Sequence, residues 1–80
     1  MTRAEIHETL TGVFRDVFDN PSLNISDTTT AKDIEEWDSI VHVTLIVAVE
    51  KKFGVSFTTR DVRRLENVGD FIQLISSRLN

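Results

Sequence analysis

The chain has 80 residues, a formal net charge of −4 and no cysteine. That length fits one small domain, residues 1–80, and the missing cysteine excludes a disulfide framework, a thiolate metal site and a cysteine nucleophile. Any thiol chemistry must be borrowed. Charge is unevenly spread: ten acids face three bases through Glu50, a balance of −7, whereas six bases face three acids from Lys51 onward, a balance of +3. An acidic domain repels a phosphate backbone, so nucleic acid is not an expected partner, and Arg63-Arg64 reads as a solvated face. No apolar run approaches the roughly 18 residues of a membrane span. Met1-Thr2-Arg3-Ala4-Glu5 lacks the basic and then apolar regions of a signal peptide. A cytoplasmic protein without membrane insertion is the expectation.

Thr2-Arg3-Ala4-Glu5 is a capping box. Behind it, Ile6, Leu10, Val13, Phe14, Val17 and Phe18 recur at the three- and four-residue steps of one helical face. This helix should end near Asp19-Asn20-Pro21, because proline disfavours helical geometry before it and has no N–H for a further turn. His7 lies off the apolar stripe with no second ligand at metal spacing, and reads as a surface residue.

From Asn20 to Trp37 runs a connection rich in Ser, Thr, Asn and Asp. Loops beyond about 15 residues argue for disorder or for function. The apolar residues Leu23, Ile25, Ile34 and Trp37, spaced along it, argue against disorder and should pin it across the bundle. Thr30-Ala31-Lys32-Asp33 can cap a single turn. The loop has no glycine or alternating oxygen ligands, so it is not an EF-hand and no metal is expected.

Asp38 is a good N-cap for the helix running from Ser39 to about Phe53. Ser39 falls in the first turn, where free N–H groups and the positive dipole end would favour a phosphate ester on its oxygen. Asp-Ser before an apolar run is also a common helix start. Leu45, Ile46, Val49 and Phe53 form a core stripe reaching back toward His42, while Ile40, Val43 and Val47 step along another face. That second stripe is either covered by loops or presented to a partner.

Gly54 stops the helix as a residue free to turn left-handed, with Lys51 and Lys52 against the negative helix end. Thr58 or Thr59 caps a short piece in which Val62 and Leu65 point inward, and Asn67-Val68-Gly69-Asp70 opens the last helix. Val68, Phe71, Ile72, Ile75 and Leu79 form its buried face. With no alternating strand pattern, the fold expected is all-α: a small four-helix bundle with three longer helices, a short third helix and a long first loop.

A catalytic Ser39 with His42 as base would need an orienting partner for the imidazole, an oxyanion hole and a cleft, and no G-x-S-x-G elbow is present. No catalytic residue is expected. Asp33, Glu35, Glu36 and Asp38 read as a solvated or partner-facing acidic edge.

Glu36-Trp37-Asp38-Ser39-Ile40, then Glu50-Lys51-Lys52-Phe53-Gly54-Val55, then Asn67-Val68-Gly69-Asp70 resemble the acyl carrier protein family over nearly the whole chain. The shared pattern is D-S-[hydrophobic], E-x-x-F-G-[IV] and V-G-D in that order. The resemblance implies that Ser39 is esterified with 4′-phosphopantetheine, taken from coenzyme A by a phosphopantetheinyl transferase. It further implies that acyl groups ride on the arm's thiol as thioesters. Acyl-loading and acyl-transferring enzymes of fatty-acid, polyketide or related lipid biosynthesis would exchange them, the domain itself doing no chemistry. Val41 and His42 stand where many fatty-acid carriers are acidic, and Lys51 and Lys52 replace acids. The expectation is therefore a stand-alone, monomeric carrier of a specialised pathway, recognised through Ile40, Val43 and Val47 with Glu35, Glu36 and Asp38. Aminoacyl or peptidyl carriers resemble G-G-x-S-[LI] at the site, whereas Glu36-Trp37-Asp38-Ser39 favours the acyl type. An unmodified helical interaction domain is the reading from another class.

Overall fold

The structure, a computed structural model, describes residues 1–79. Helix α1 spans Arg3–Val17, α2 Ser39–Phe53, α3 Thr59–Arg63 and α4 Val68–Leu79, and no strand forms among the described residues. The expected order and the short third helix are both observed.

The Thr2 capping box is made: Thr2 Oγ1 accepts from Glu5 N–H at 3.2 Å, and Glu5 Oε1 accepts from Thr2 N–H at 2.7 Å. Two first-turn donors are thereby satisfied. At its far end α1 stops at Val17, three residues before Asn20. Asp19 turns left-handed at φ 50°, and the N–H groups of Asp19 and Asn20 reach back to the carbonyls of Asp16 and Arg15. This is the Schellman closure, here without glycine. Gly54, at φ 67°, performs the same turn after α2, and Val55 N–H returns to Glu50 O at 3.1 Å.

Helix α1 packs on both α2 and α4. Ile6, Leu10 and Phe14 from α1, Leu45 and Val49 from α2, and Val68, Phe71, Ile72 and Ile75 from α4 meet in one fully buried core. Each such side chain contributes about 1.5–3 kcal/mol by leaving water. Leu79, expected in that face, is half-buried at its edge. Val62 and Leu65 are also half-buried against the core, Leu65 lying just beyond α3.

The long loop between α1 and α2 is anchored as its apolar residues suggest. Ile25 and Ile34 are buried, and Leu23 and Trp37 pack against the core. The expected turn at Thr30 forms, with Asp33 N–H donating to Thr30 O and Asp33 Oδ2 accepting from Thr30 N–H. Polar contacts finish the pinning: Arg15 Nε donates to Leu23 O at 2.7 Å, and His7 Nε2 lies 2.7 Å from Ile25 O. The surface reading of His7 is therefore corrected. A ring off the apolar stripe can still be half-buried when a loop crosses over it.

The same loop holds the start of α4. Val68 N–H donates to Thr29 O and Gly69 N–H to Asp27 O, each at 2.9 Å, while Asn67 Oδ1 caps Asp70 N–H at 2.8 Å. The orphan donors of the helix start are shared between a side-chain cap and a crossing backbone. On the other side, Glu50 Oε2 accepts from Phe57 N–H at 2.8 Å and so ties α2 to the segment entering α3. Arg78, near the end of α4, pairs with Asp61 of α3.

Candidate phosphopantetheine attachment site

Ser39 is the first residue of α2, and its side chain is exposed. The helix begins there because Asp38 caps it: Oδ1 accepts from Ile40 N–H at 3.0 Å and from Val41 N–H at 2.8 Å. The cap expected of Asp38 is thus made. The protein's own carboxylate occupies those two donors, and the N–H of Ser39 itself is not among the groups it binds.

Trp37, two residues before Ser39, braces the same corner. Its ring stands edge-on to Phe14 at 5.3 Å and to Phe18 at 6.2 Å, and lies stacked against His42 at 5.9 Å with a 24° tilt. Its indole Nε1–H donates to Nδ1 of His42 at 2.9 Å. A neutral imidazole that accepts at Nδ1 carries its proton on Nε2. One contact thus sets both the ring plane and the tautomer. Burial holds the His42 imidazole below the ordinary histidine range. Protonation would also set Nδ1–H against the indole N–H.

The expected partner-facing residues divide into two groups around Ser39. Glu35 and Glu36 are exposed in the turn before the helix, beside exposed Asp38. Along α2, Ile40 is 78% exposed, Val43 64% and Val47 44%. No loop covers this stripe, which resolves one alternative left by the sequence. Beside it runs a cleft of about 230 Å³ between α2 and α3, walled by Val43, Ile46, Val47, Phe57 and Val62 and touched at one end by His42. A second cleft, of about 260 Å³, is lined by Ala31, Trp37, Asp38, Ser39 and His42.

The Trp37–His42 pair is the part of the site that sequence reasoning missed. A tryptophan one residue before the cap and a histidine one turn into the helix were its only signal. No cluster of His, Cys, Asp or Glu suited to a metal is present among the described residues.

A braced helix start with an exposed serine, in a bundle of this order, suits the covalent attachment of a group. Residues 8–75 match the family model of the phosphopantetheine attachment site, and the chain belongs to the acyl carrier protein family. An acyl carrier protein of Acidothermus cellulolyticus is 29% identical over 77 residues, covering 96% of this chain and 92% of that one. The solution NMR structure of a holo acyl carrier protein from Geobacter metallireducens superposes with a TM-score of 0.88 at 38% identity, covering 92% of this chain and 85% of the other. The cofactor is accordingly a covalently attached phosphopantetheine. The chain offers what that group needs: a serine hydroxyl open to an approaching enzyme, on a backbone already capped and braced.

Proposed function

We propose that Ser39 carries the 4′-phosphopantetheine arm and that the protein delivers acyl intermediates to partner enzymes of fatty-acid, polyketide or related lipid biosynthesis. The observation that carries the reading is the exposed Ser39 at the first position of α2, directly after the Asp38 cap and the Trp37 brace. In the loading step a bond forms between Ser39 Oγ and the phosphorus on the pantetheine side of coenzyme A's diphosphate, and the P–O bond to the nucleotide half breaks. The nucleotide leaves with that oxygen, and the Oγ proton passes to a base of the transferase. When bound, the arm supplies the thiol on which an acyl group is held as a thioester.

The residues of this chain position the arm and present it. Asp38 and Trp37 hold the serine at a fixed corner of the bundle, so a group tethered there samples a limited volume. An enzyme docked within that volume meets the tethered group at high effective concentration.

The domain is a substrate of its partners and not itself a catalyst. His42 could activate Ser39 only through a free ring nitrogen acting as acceptor. Nδ1 is occupied by the Trp37 N–H, and Nε2 therefore bears the proton. His42 is therefore no base for the serine.

Partners, among them a phosphopantetheinyl transferase, would dock on exposed Ile40, Val43 and Val47, with Glu35, Glu36 and Asp38 at the rim. An apolar centre beside a charged edge is the usual anatomy of a transient interface. The pairing of a mostly apolar α2 with Lys51 and Lys52 at its end supports recognition by enzymes of a specialised pathway. Tandem mass spectrometry of the tryptic peptide 33–51 from loaded protein tests the attachment point. Its only hydroxyl side chains are Ser39 and Thr44, and the arm is expected on Ser39. An arm on Thr44 would overturn the assignment.

A further inference from the structure

His42 stands three residues after Ser39, one turn along the same face of α2. Residues at that spacing have Cβ atoms about 5–6 Å apart. The imidazole lines the 260 Å³ cleft together with Ser39. Its Nδ1 accepts from Trp37, so Nε2 is a donor. That donor meets no protein acceptor among the described residues. No buried side-chain nitrogen or oxygen there lacks a partner, so Nε2 reaches solvent. Three carboxylates border the cavities around the ring: Asp38 at the cap, Glu50 further along α2, and Glu66 between α3 and α4. None of them accepts from it.

The ring is therefore a donor of fixed tautomer, held by an aromatic brace and aimed at no group of its own chain. Two donors of the helix start, the N–H groups of Ile40 and Val41, are taken by Asp38. We propose that His42 Nε2–H donates a hydrogen bond to a phosphodiester oxygen of the arm carried on Ser39, and that Trp37 is the positioning residue that makes this donor available. The inference rests on the assignment of the arm to Ser39. It adds an anchor at the root of the arm, which would direct its first segment along the cleft beside Trp37 and Ala31.

The test is a comparison of the histidine side chains by long-range ¹H–¹⁵N NMR before and after loading, on protein whose intact mass is recorded in the same sample. His7 is the internal control, because its Nε2 is already paired with Ile25 O on α1's side of the bundle. The expected result has three parts: His42 in the Nε2–H tautomer before loading, a clear change of its Nε2 and Hε2 resonances after loading, and His7 unmoved. In Trp37→Phe, which removes the N–H but keeps a ring, the loaded protein should show a mixture of tautomers and a smaller change. One added arm with His42 resonances unchanged would overturn the anchor and leave Ser39 as the attachment point. No added mass would overturn both.

Discussion

Gly69 donates its backbone N–H to the carbonyl oxygen of Asp27 at 2.9 Å, and a Cβ built at residue 69 would lie 3.0 Å from that same oxygen. The long loop thus lies directly on the first turn of α4. A methyl group here meets rigid backbone and the Asn67 cap, which cannot move aside without losing their own hydrogen bonds. Overfilling a fitted contact costs about 1–3 kcal/mol, set against up to about 1 kcal/mol of gained helix propensity. Gly69→Ala should therefore lower stability by about 1–2 kcal/mol in chemical denaturation. Gly12→Ala is the matched control, since nothing lies within 4 Å of a Cβ there and the residue is inside α1. It should raise stability by about 0.5–1 kcal/mol.

Asp19 closes α1 in the left-handed region, where a side chain is strained and glycine is not. Asp19→Gly keeps the two return bonds to Arg15 and Asp16, because both use backbone N–H groups. We expect a gain of about 0.5–1 kcal/mol, the relief of strain being partly offset by a more flexible unfolded chain. Differential scanning calorimetry would show it as a higher Tm, by about 4–8 °C per kcal/mol in a domain of this size.

Burial lowers the His42 pKa from its ordinary value of 6.5, and the Trp37 N–H facing Nδ1 opposes protonation in the same direction. The unfolded chain then binds more protons than the folded one as pH falls through 6.5 toward the lower folded value. Stability from this group is complete above 6.5 and is lost below it. NMR titration of the unloaded protein should place the His42 midpoint under 6.5, and in Trp37→Phe the midpoint should move upward. A midpoint unchanged by that substitution would mean the indole has no part in the shift.

Docking on the exposed face of α2 makes a separate prediction. Truncating Val43 and Val47 to alanine removes apolar contact area without touching the core, since both are exposed. With Glu35 and Glu36 reversed to lysine as well, acyl transfer from cognate enzymes should fall at least tenfold while thermal stability stays within about 0.5 kcal/mol. Unchanged transfer would place the docking surface elsewhere.

Much of this arrangement could be read from the chain alone, because it is local. The Thr2–Glu5 box, the Asp38 cap, the Gly54 stop and the apolar periods of α1, α2 and α4 lie within a few residues of one another, and each appears where spacing placed it. Ile25 and Ile34 likewise betrayed a pinned loop by their composition. What escaped depends on the path of that loop. His7 reaches Ile25 across 18 residues, and Gly69 lies under Asp27 because the chain returns over α4. The Trp37–His42 bond was closer in sequence, but it needs the turn between Ile34 and Asp38 to bring the indole over the first turn of α2. The Asp38 cap is legible as a cap, whereas the choice of a single Oδ1 to serve two N–H groups is a matter of side-chain geometry.

Attachment at Ser39 is tested by the intact mass of unloaded protein before and after incubation with coenzyme A and a broad-specificity phosphopantetheinyl transferase, beside Ser39→Ala. One phosphopantetheine is expected on the wild-type chain and none on the alanine variant, with both proteins folded by circular dichroism. An arm gained equally by the variant, or none gained by the wild-type chain with several transferases, would contradict it.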